Sequence, residues 1–236
     1  MCVAAIAWNA HPRWRLVAIG NRDEFHERPT APLSAWDDAP VIAGRDLKAG
    51  GTWLGVGTGR FGLVTNLRVP GHPRADLASR GALVSDWVAG RDPAGTEQMN
   101  PFNLWLADRD TLRFLTNYPA AQDAVLEPGI HGLSNGARGD RWFKIERLEA
   151  ALEDWLVDAN DPDRLFAALA DPVPQSADPE DAYSSVFIRN PVYGTRCSTI
   201  VTVDARGCGT IAERRFNAGG SAAGDTRLTF DWPLSD

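Results

Sequence analysis

The sequence predicts an α+β fold built on antiparallel sheet, and three observations carry that reading. Short apolar runs return in pairs across turn residues, with hairpins expected around Pro12-Arg13, Thr58-Gly59, Arg109-Asp110 and Arg206-Gly207. Hairpins pair antiparallel, which excludes a doubly wound parallel sheet. A helical block lies between two β-rich parts. The chain of 236 residues is 44% hydrophobic and 23% charged, which fits one folded domain over 1–236 and excludes disorder as the main state.

Val3 to Trp8 reads as a buried strand, Asn9 to Arg13 as a turn, and Leu16 to Ile19 as the returning strand. His26 to Ala39, with Pro29 and Pro32, reads as a loop. Thr52 to Val56 and Phe61 to Asn66 form the second hairpin. Asp76 to Val88 is expected to be helical, with Leu77, Val84, Trp87 and Val88 on one side. Asn103 to Ala107 and Thr111 to Thr116 form the next hairpin. Asp140 is placed to cap a helix running to about Val157, in which Ile145, Leu148, Leu152 and Trp155 keep the helical period. Asp161 to Leu169 is a second helical stretch, and Asp171 to Asp181 a surface loop. Cys197 to Val203 and Thr210 to Phe216 make the late hairpin, with Arg227 to Phe230 a short edge strand.

Composition excludes several function classes. With 24 Lys+Arg against 31 Asp+Glu the net charge is −7, which argues against nucleic acid as a partner. No run approaches a transmembrane segment and no secretory signal is visible, so a cytoplasmic location is expected. Cys2, Cys197 and Cys208 give no disulfide framework, and no CxxC pair or clustered histidine predicts a metal. Cys197 and Cys208 read as small buried hydrophobes. Gly50-Gly51-Thr52-Trp53-Leu54-Gly55 lacks the lysine of a phosphate loop; its glycines fit close backbone approach beside a pocket. Trp53 falls in a periodic element and reads as core, yet it is kept with Trp36 and Arg196 as a substrate-binding candidate. Trp36 and Trp232 lie in loop-like sequence and are the tryptophans expected to line a pocket.

Cys2 stands apart because of its position. Loss of Met1 would give it a free α-amine beside its thiol. An α-amine of pKa near ~7.7–8 is partly neutral at physiological pH and can accept the thiol proton, directly or through water. One residue would then supply nucleophile and base. With the first turn about Pro12-Arg13, Cys2 faces Asp23 and Val3 faces Arg22, so Asp23 would orient the amine while Arg22 points away. A register change of one residue reverses those roles, so both are kept as site candidates. The competing reading is a solvated strand end.

Met1-Cys2, Ile19-Gly20-Asn21-Arg22-Asp23-Glu24-Phe25 and Arg28-Pro29-Thr30 resemble the opening of the NRDE family, which includes the transport and Golgi organisation protein 2 group. Ala43-Gly44-Arg45-Asp46, Gly50 to Gly55, Val64-Thr65-Asn66-Leu67-Arg68, Gly132-Leu133-Ser134-Asn135 and Gly194 to Thr199 extend the match in order along most of the chain. The resemblance implies an N-terminal nucleophile hydrolase-like fold, a four-layer αββα sandwich of two antiparallel sheets. A more distant likeness is to choloylglycine hydrolases and penicillin V acylases, in which several residues separate an Arg and an Asp that are adjacent here.

By that resemblance Cys2 is the nucleophile, Asp23 positions its amine and Arg22 stabilises charge at the thiolate. Asn66 and Asn135 are the oxyanion donors, and an amide donor there is worth ~3–4 kcal/mol to the barrier. Arg196 is a substrate-carboxylate or structural residue. The implied activity is hydrolysis of an amide or thioester of a small acyl-bearing molecule, with no metal or organic cofactor. The alternative is a binding or trafficking protein for haem or a hydrophobic metabolite on the same fold. Arg68, Arg74 and Arg80 either meet an anionic substrate tail or form a solvated face.

Overall fold

The computed structural model describes residues 2–178 and 181–233, so the expected loss of Met1 concerns a residue outside them. The elements run β1 Cys2–His11, β2 Trp14–Phe25, β3 Thr30–Ala35, β4 Ile42–Asp46, β5 Leu54–Gly57, β6 Arg60–Asn66, α1 Gly81–Val88, β7 Phe102–Ala107, β8 Leu112–Thr116, β9 Gln122–Leu126, β10 Gly129–Leu133, α2 Phe143–Leu156, α3 Leu165–Leu169, β11 Tyr193–Asp204, β12 Cys208–Phe216 and β13 Ala222–Asp231. Six strands form one sheet in the order β10-β1-β2-β11-β12-β13 and seven form the other, β3-β4-β5-β6-β7-β8-β9. Every pairing between these strands is antiparallel.

Strand alternation decides which side chain enters which layer. Along β1, Ala4, Ile6 and Trp8 enter the core between the sheets, where they meet Leu54, Phe61, Leu63 and Trp105. Val3, Ala5 and Ala7 face the other way, under Ile145, Leu148 and Leu152 of α2 and Leu165 of α3. On the far side, Leu83, Val84, Trp87 and Val88 of α1 cover Val64, Leu104 and Leu106 of the seven-stranded sheet. The layers are therefore helix, sheet, sheet, helix. No helix among the described residues is long and apolar enough to cross a membrane.

Several elements depart from expectation. His26 to Ala39 is not all loop, because Thr30–Ala35 pairs with β4 as an edge strand. The first helix starts at Gly81 rather than Asp76, and the second at Phe143 rather than beside Asp140, whose carboxylate instead accepts the Ala137 N–H at 2.8 Å. The last strand is a full edge, Ala222–Asp231. Trp232, expected to line a pocket, is buried against Phe230 in the inter-sheet core. Cys208 is exposed at the start of β12, not buried.

The opening hairpin carries the correction with most consequence. Its tip pairs His11 with Trp14, the register expected from a turn at Pro12-Arg13. Between Trp8 and His11 the register shifts by one residue, and Asn9 takes a positive φ of 45°. Such a bulge leaves one residue unpaired and resets every pair beyond it. Cys2 consequently lies opposite Arg22, and Val3 opposite Asn21. The expected pairing of Cys2 with Asp23 does not occur.

Candidate functional site

Cys2, Arg22 and Cys197 form a row across β1, β2 and β11, since Arg22 pairs with both cysteines. The row continues the face of Ala4 and Ile6, at the end of the sandwich where the sheets part into a cleft. The cleft is lined by Cys2, Arg22, Asp23, Trp53, Asn66 and Arg80, together with further polar residues of β3, β4 and the Gly51 loop. It encloses about 130 Å³, room for the reacting end of a molecule rather than a whole large ligand.

The four residues of the Asn-Arg-Asp-Glu run have four separate tasks. Asn21 faces the helical layer. Its Nδ2 donates to the carbonyls of Leu169 (2.8 Å) and Val186 (2.9 Å), and its Oδ1 accepts from Ser198 Oγ (2.6 Å). Arg22 faces the cleft, 3.6 Å from both Glu24 and Asp46. Asp23 is buried at 2% exposure, and its Oδ1 accepts from Thr195 Oγ1 at 2.7 Å. Glu24 anchors Arg22 from the same strand face. The pleat thus sends Arg22 and Asp23 to opposite sides of β2, though both reach the cleft at its end.

Cys2 is held by its main chain. Its N donates to Asn135 Oδ1 at 3.1 Å, and its carbonyl accepts from Ser134 Oγ at 2.7 Å. Asn135 Nδ2 in turn donates to the Asn66 carbonyl at 2.6 Å, and Thr65 Oγ1 to the Ser134 carbonyl at 2.6 Å. These bonds stitch the start of β1 to the ends of β6 and β10 across the two sheets. The side chain of Asn135 therefore holds the nitrogen of Cys2, while that of Asn66 lines the open cleft.

Electrostatics follow from burial. Desolvation raises the Cys2 thiol above its ordinary value, Asp23 raises it further, and the Asp23 main chain and the Arg22 guanidinium oppose this. Burial pushes Asp23 from 3.8 to about 6, with Lys144 the strongest side-chain charge holding it down. Cys197 is raised well above its usual range, first by burial and then by the Glu213 carboxylate.

Two expected residues take other places. Trp36 is not among the residues lining the cleft: its Nε1 donates to the Ala43 carbonyl at 3.0 Å, and the guanidinium of Arg45, which does line it, stacks 4.1 Å over its ring. Arg196 occupies the bulge between Thr195 and Cys197, and its Nη1 donates to the carbonyls of Phe25 (2.8 Å) and Arg28 (3.0 Å), tying down the loop after β2. Arg28, Asp46 and Lys144 were missed. Arg28 and Asp46 stand in the quoted family motifs and form an ion pair at 2.7 Å at the cleft wall. Lys144 had no signal beyond its place at a helix start.

A family profile described as Transport and Golgi organisation 2 matches residues 1–218. The chain is 32% identical to the mouse Transport and Golgi organization 2 homolog, covering 91% of this chain and 92% of that one. It is 31% identical to the human Transport and Golgi organization protein 2 homolog over the same shares. Among solved structures, the Caenorhabditis elegans N-acylethanolamine-hydrolyzing acid amidase ortholog aligns with a TM-score of 0.47 at 11% identity, covering 84% of this chain and 92% of that chain.

Proposed function

The chain belongs to the Transport and Golgi organisation 2 family, and from that premise and its cleft we propose that it is an N-terminal cysteine hydrolase of a small acyl amide or thioester. The observation that carries the reading is the restraint on Cys2: a thiol at the floor of a polar cleft, its nitrogen held by Asn135 and a buried carboxylate close by.

With Met1 removed, the Cys2 nitrogen becomes an α-amine in the grip of Asn135 Oδ1. The thiol is a weak acid in its buried setting, so it needs a base within reach, and its own amine is that base. Asp23, ionised above about pH 6, orients and polarises the amine from the helical side. Arg22, on the thiol's own face, stabilises the thiolate. Sulfur attacks the carbonyl, whose oxygen takes the electron pair and is met by the Asn66 amide in the cleft. Collapse expels the amine or thiol leaving group with the proton from the α-amine and leaves a thioester on Cys2. Water, deprotonated by the same amine, then releases the acid and restores the thiol.

The reading as a carrier of haem or a hydrophobic metabolite is less well served. Charged and polar residues together make up most of the cleft wall, and no histidine is among its lining residues.

Because Cys208 is an exposed competitor for alkylating reagents, the test uses a Cys208→Ser background. Intact mass is expected to show Met1 absent, and iodoacetamide to modify Cys2 before Cys197. Cys2→Ala should abolish turnover in a panel of acyl amides and thioesters. Retained Met1, first modification at Cys197, or unchanged turnover in Cys2→Ala would overturn the assignment.

A further inference from the structure

Lys144 is the second residue of α2 and is 1% exposed. Its Nζ has no hydrogen-bond partner among the described residues. A buried ammonium without a partner costs several kcal/mol by general expectation. The position adds to that cost, because the N-terminal turn of a helix is the positive end of its dipole. The indole of Trp142, 5.8 Å from Nζ, offers a weak cation–π contact. The charges that act on Lys144 are Asp23 and Cys2 on one side and Arg68, which repels it, on the other. A second cavity, lined by Arg68, Arg141, Lys144, Asp181 and Tyr183, lies beyond. Burial is the largest influence and lowers the Lys144 pKa; of the neighbouring groups, Asp23 acts most strongly in favour of the ammonium.

We propose that Lys144 is a positioning residue for the nucleophile, a buried ammonium behind the sheet that keeps Asp23 ionised so that it can hold the amino end of Cys2. The proposal rests on the hydrolase reading for its purpose, but the coupling of the two side chains stands apart from it. Asp23 shares with Asn21 the face of β2 turned to the helical layer, the side of the sheet on which α2 packs against β1 and β10, and Arg22 lies on the other face, committed to Glu24 and Asp46. Arg22 lowers Asp23 less than Lys144 does. Without Lys144, the burial that already raises Asp23 to about 6 would be less opposed and more of the carboxyl would be protonated, and a neutral acid cannot draw positive charge onto the amine. The arrangement divides labour across the sheet: the cation beside the thiol is Arg22, and the cation behind the carboxylate is Lys144.

The experiment titrates aspartate 13C carboxyl resonances in the full chain, with Asp23 assigned through Asp23→Asn. In the parent protein the Asp23 resonance is expected to turn over near pH 6. In Lys144→Met, which keeps bulk and removes charge, the midpoint should rise by about one unit or more, and Lys144→Arg should restore it. A lysine held only for packing would leave the midpoint in place, and that result overturns the proposal. Should Lys144→Met not fold, linkage supplies the reciprocal test: in Asp23→Asn the Lys144 13Cε titration must move to lower pH, and an unmoved titration overturns it equally. A midpoint shift together with unchanged turnover in Cys2→Ala would retain the coupling and remove the hydrolase.

Discussion

Asp23 shows at the scale of one residue how a functional charge is costly to keep. Its carboxyl titrates near 3.8 in an unfolded chain and at about 6 in the fold, chiefly because burial penalises the charged form. The folded protein then holds that proton more tightly than the unfolded one, so the stabilisation is complete below pH 3.8 and is lost as pH rises through about 6. The amount is about 3 kcal/mol for one group shifted this far. Urea unfolding between pH 4 and 7.5 should show the parent protein losing about that much stability relative to Asp23→Asn as pH rises. A difference that grows in the opposite sense would mean that Asp23 is not buried as described. Turnover should follow the other form, rising through about pH 6 as the carboxylate appears.

At the scale of elements, the register of the opening hairpin is the feature least legible in the sequence. The two strands, the turn and the pairing at His11 and Trp14 all follow from apolar runs and turn residues. The shift at Asn9 does not, because Asn only tolerates a positive φ and does not demand it. That single residue moved Arg22 opposite Cys2 and put Asp23 behind the sheet. The motif was legible and its facing was not. The glycine loop was read better. Gly51 packs so closely on the start of α1 that a Cβ would lie 2.4 Å from the Gly81 carbonyl carbon. Gly51→Ala is therefore expected to cost about 2–4 kcal/mol, since both contacting groups are backbone and cannot yield. A denaturant midpoint within error of the parent would contradict this close approach. Lys144 escaped notice for the converse reason: beside Ile145 in an amphipathic helix, a lysine reads as a solvated residue, and only the docking of α2 on β1 and β10 buries it.

At the scale of the molecule, the sandwich is two sheets sealed by a large apolar core at one end and parted at the other, where Cys2 sits. Polar bonds replace apolar packing at the parted end. Asn135 to Asn66 and Thr65 to Ser134 are the seam, and Glu213 of β12 accepts the Leu33 N–H of β3 at 2.8 Å across the cleft. Such bonds are worth little in sum and much in position, because they fix where the nucleophile stands relative to the facing sheet. Thr65→Val keeps shape while removing the 2.6 Å donor to the Ser134 carbonyl and leaving the 3.4 Å contact from Asn103 Nδ2. It should cost about 1–3 kcal/mol. Phe114→Leu, in the core between the sheets, should cost a similar amount far from the seam. If the seam positions the site, Thr65→Val slows iodoacetamide modification of Cys2 and turnover by about tenfold while Phe114→Leu leaves both near the parent rate. Equal rates in the two variants would show that global stability, and not the polar seam, sets the geometry at Cys2.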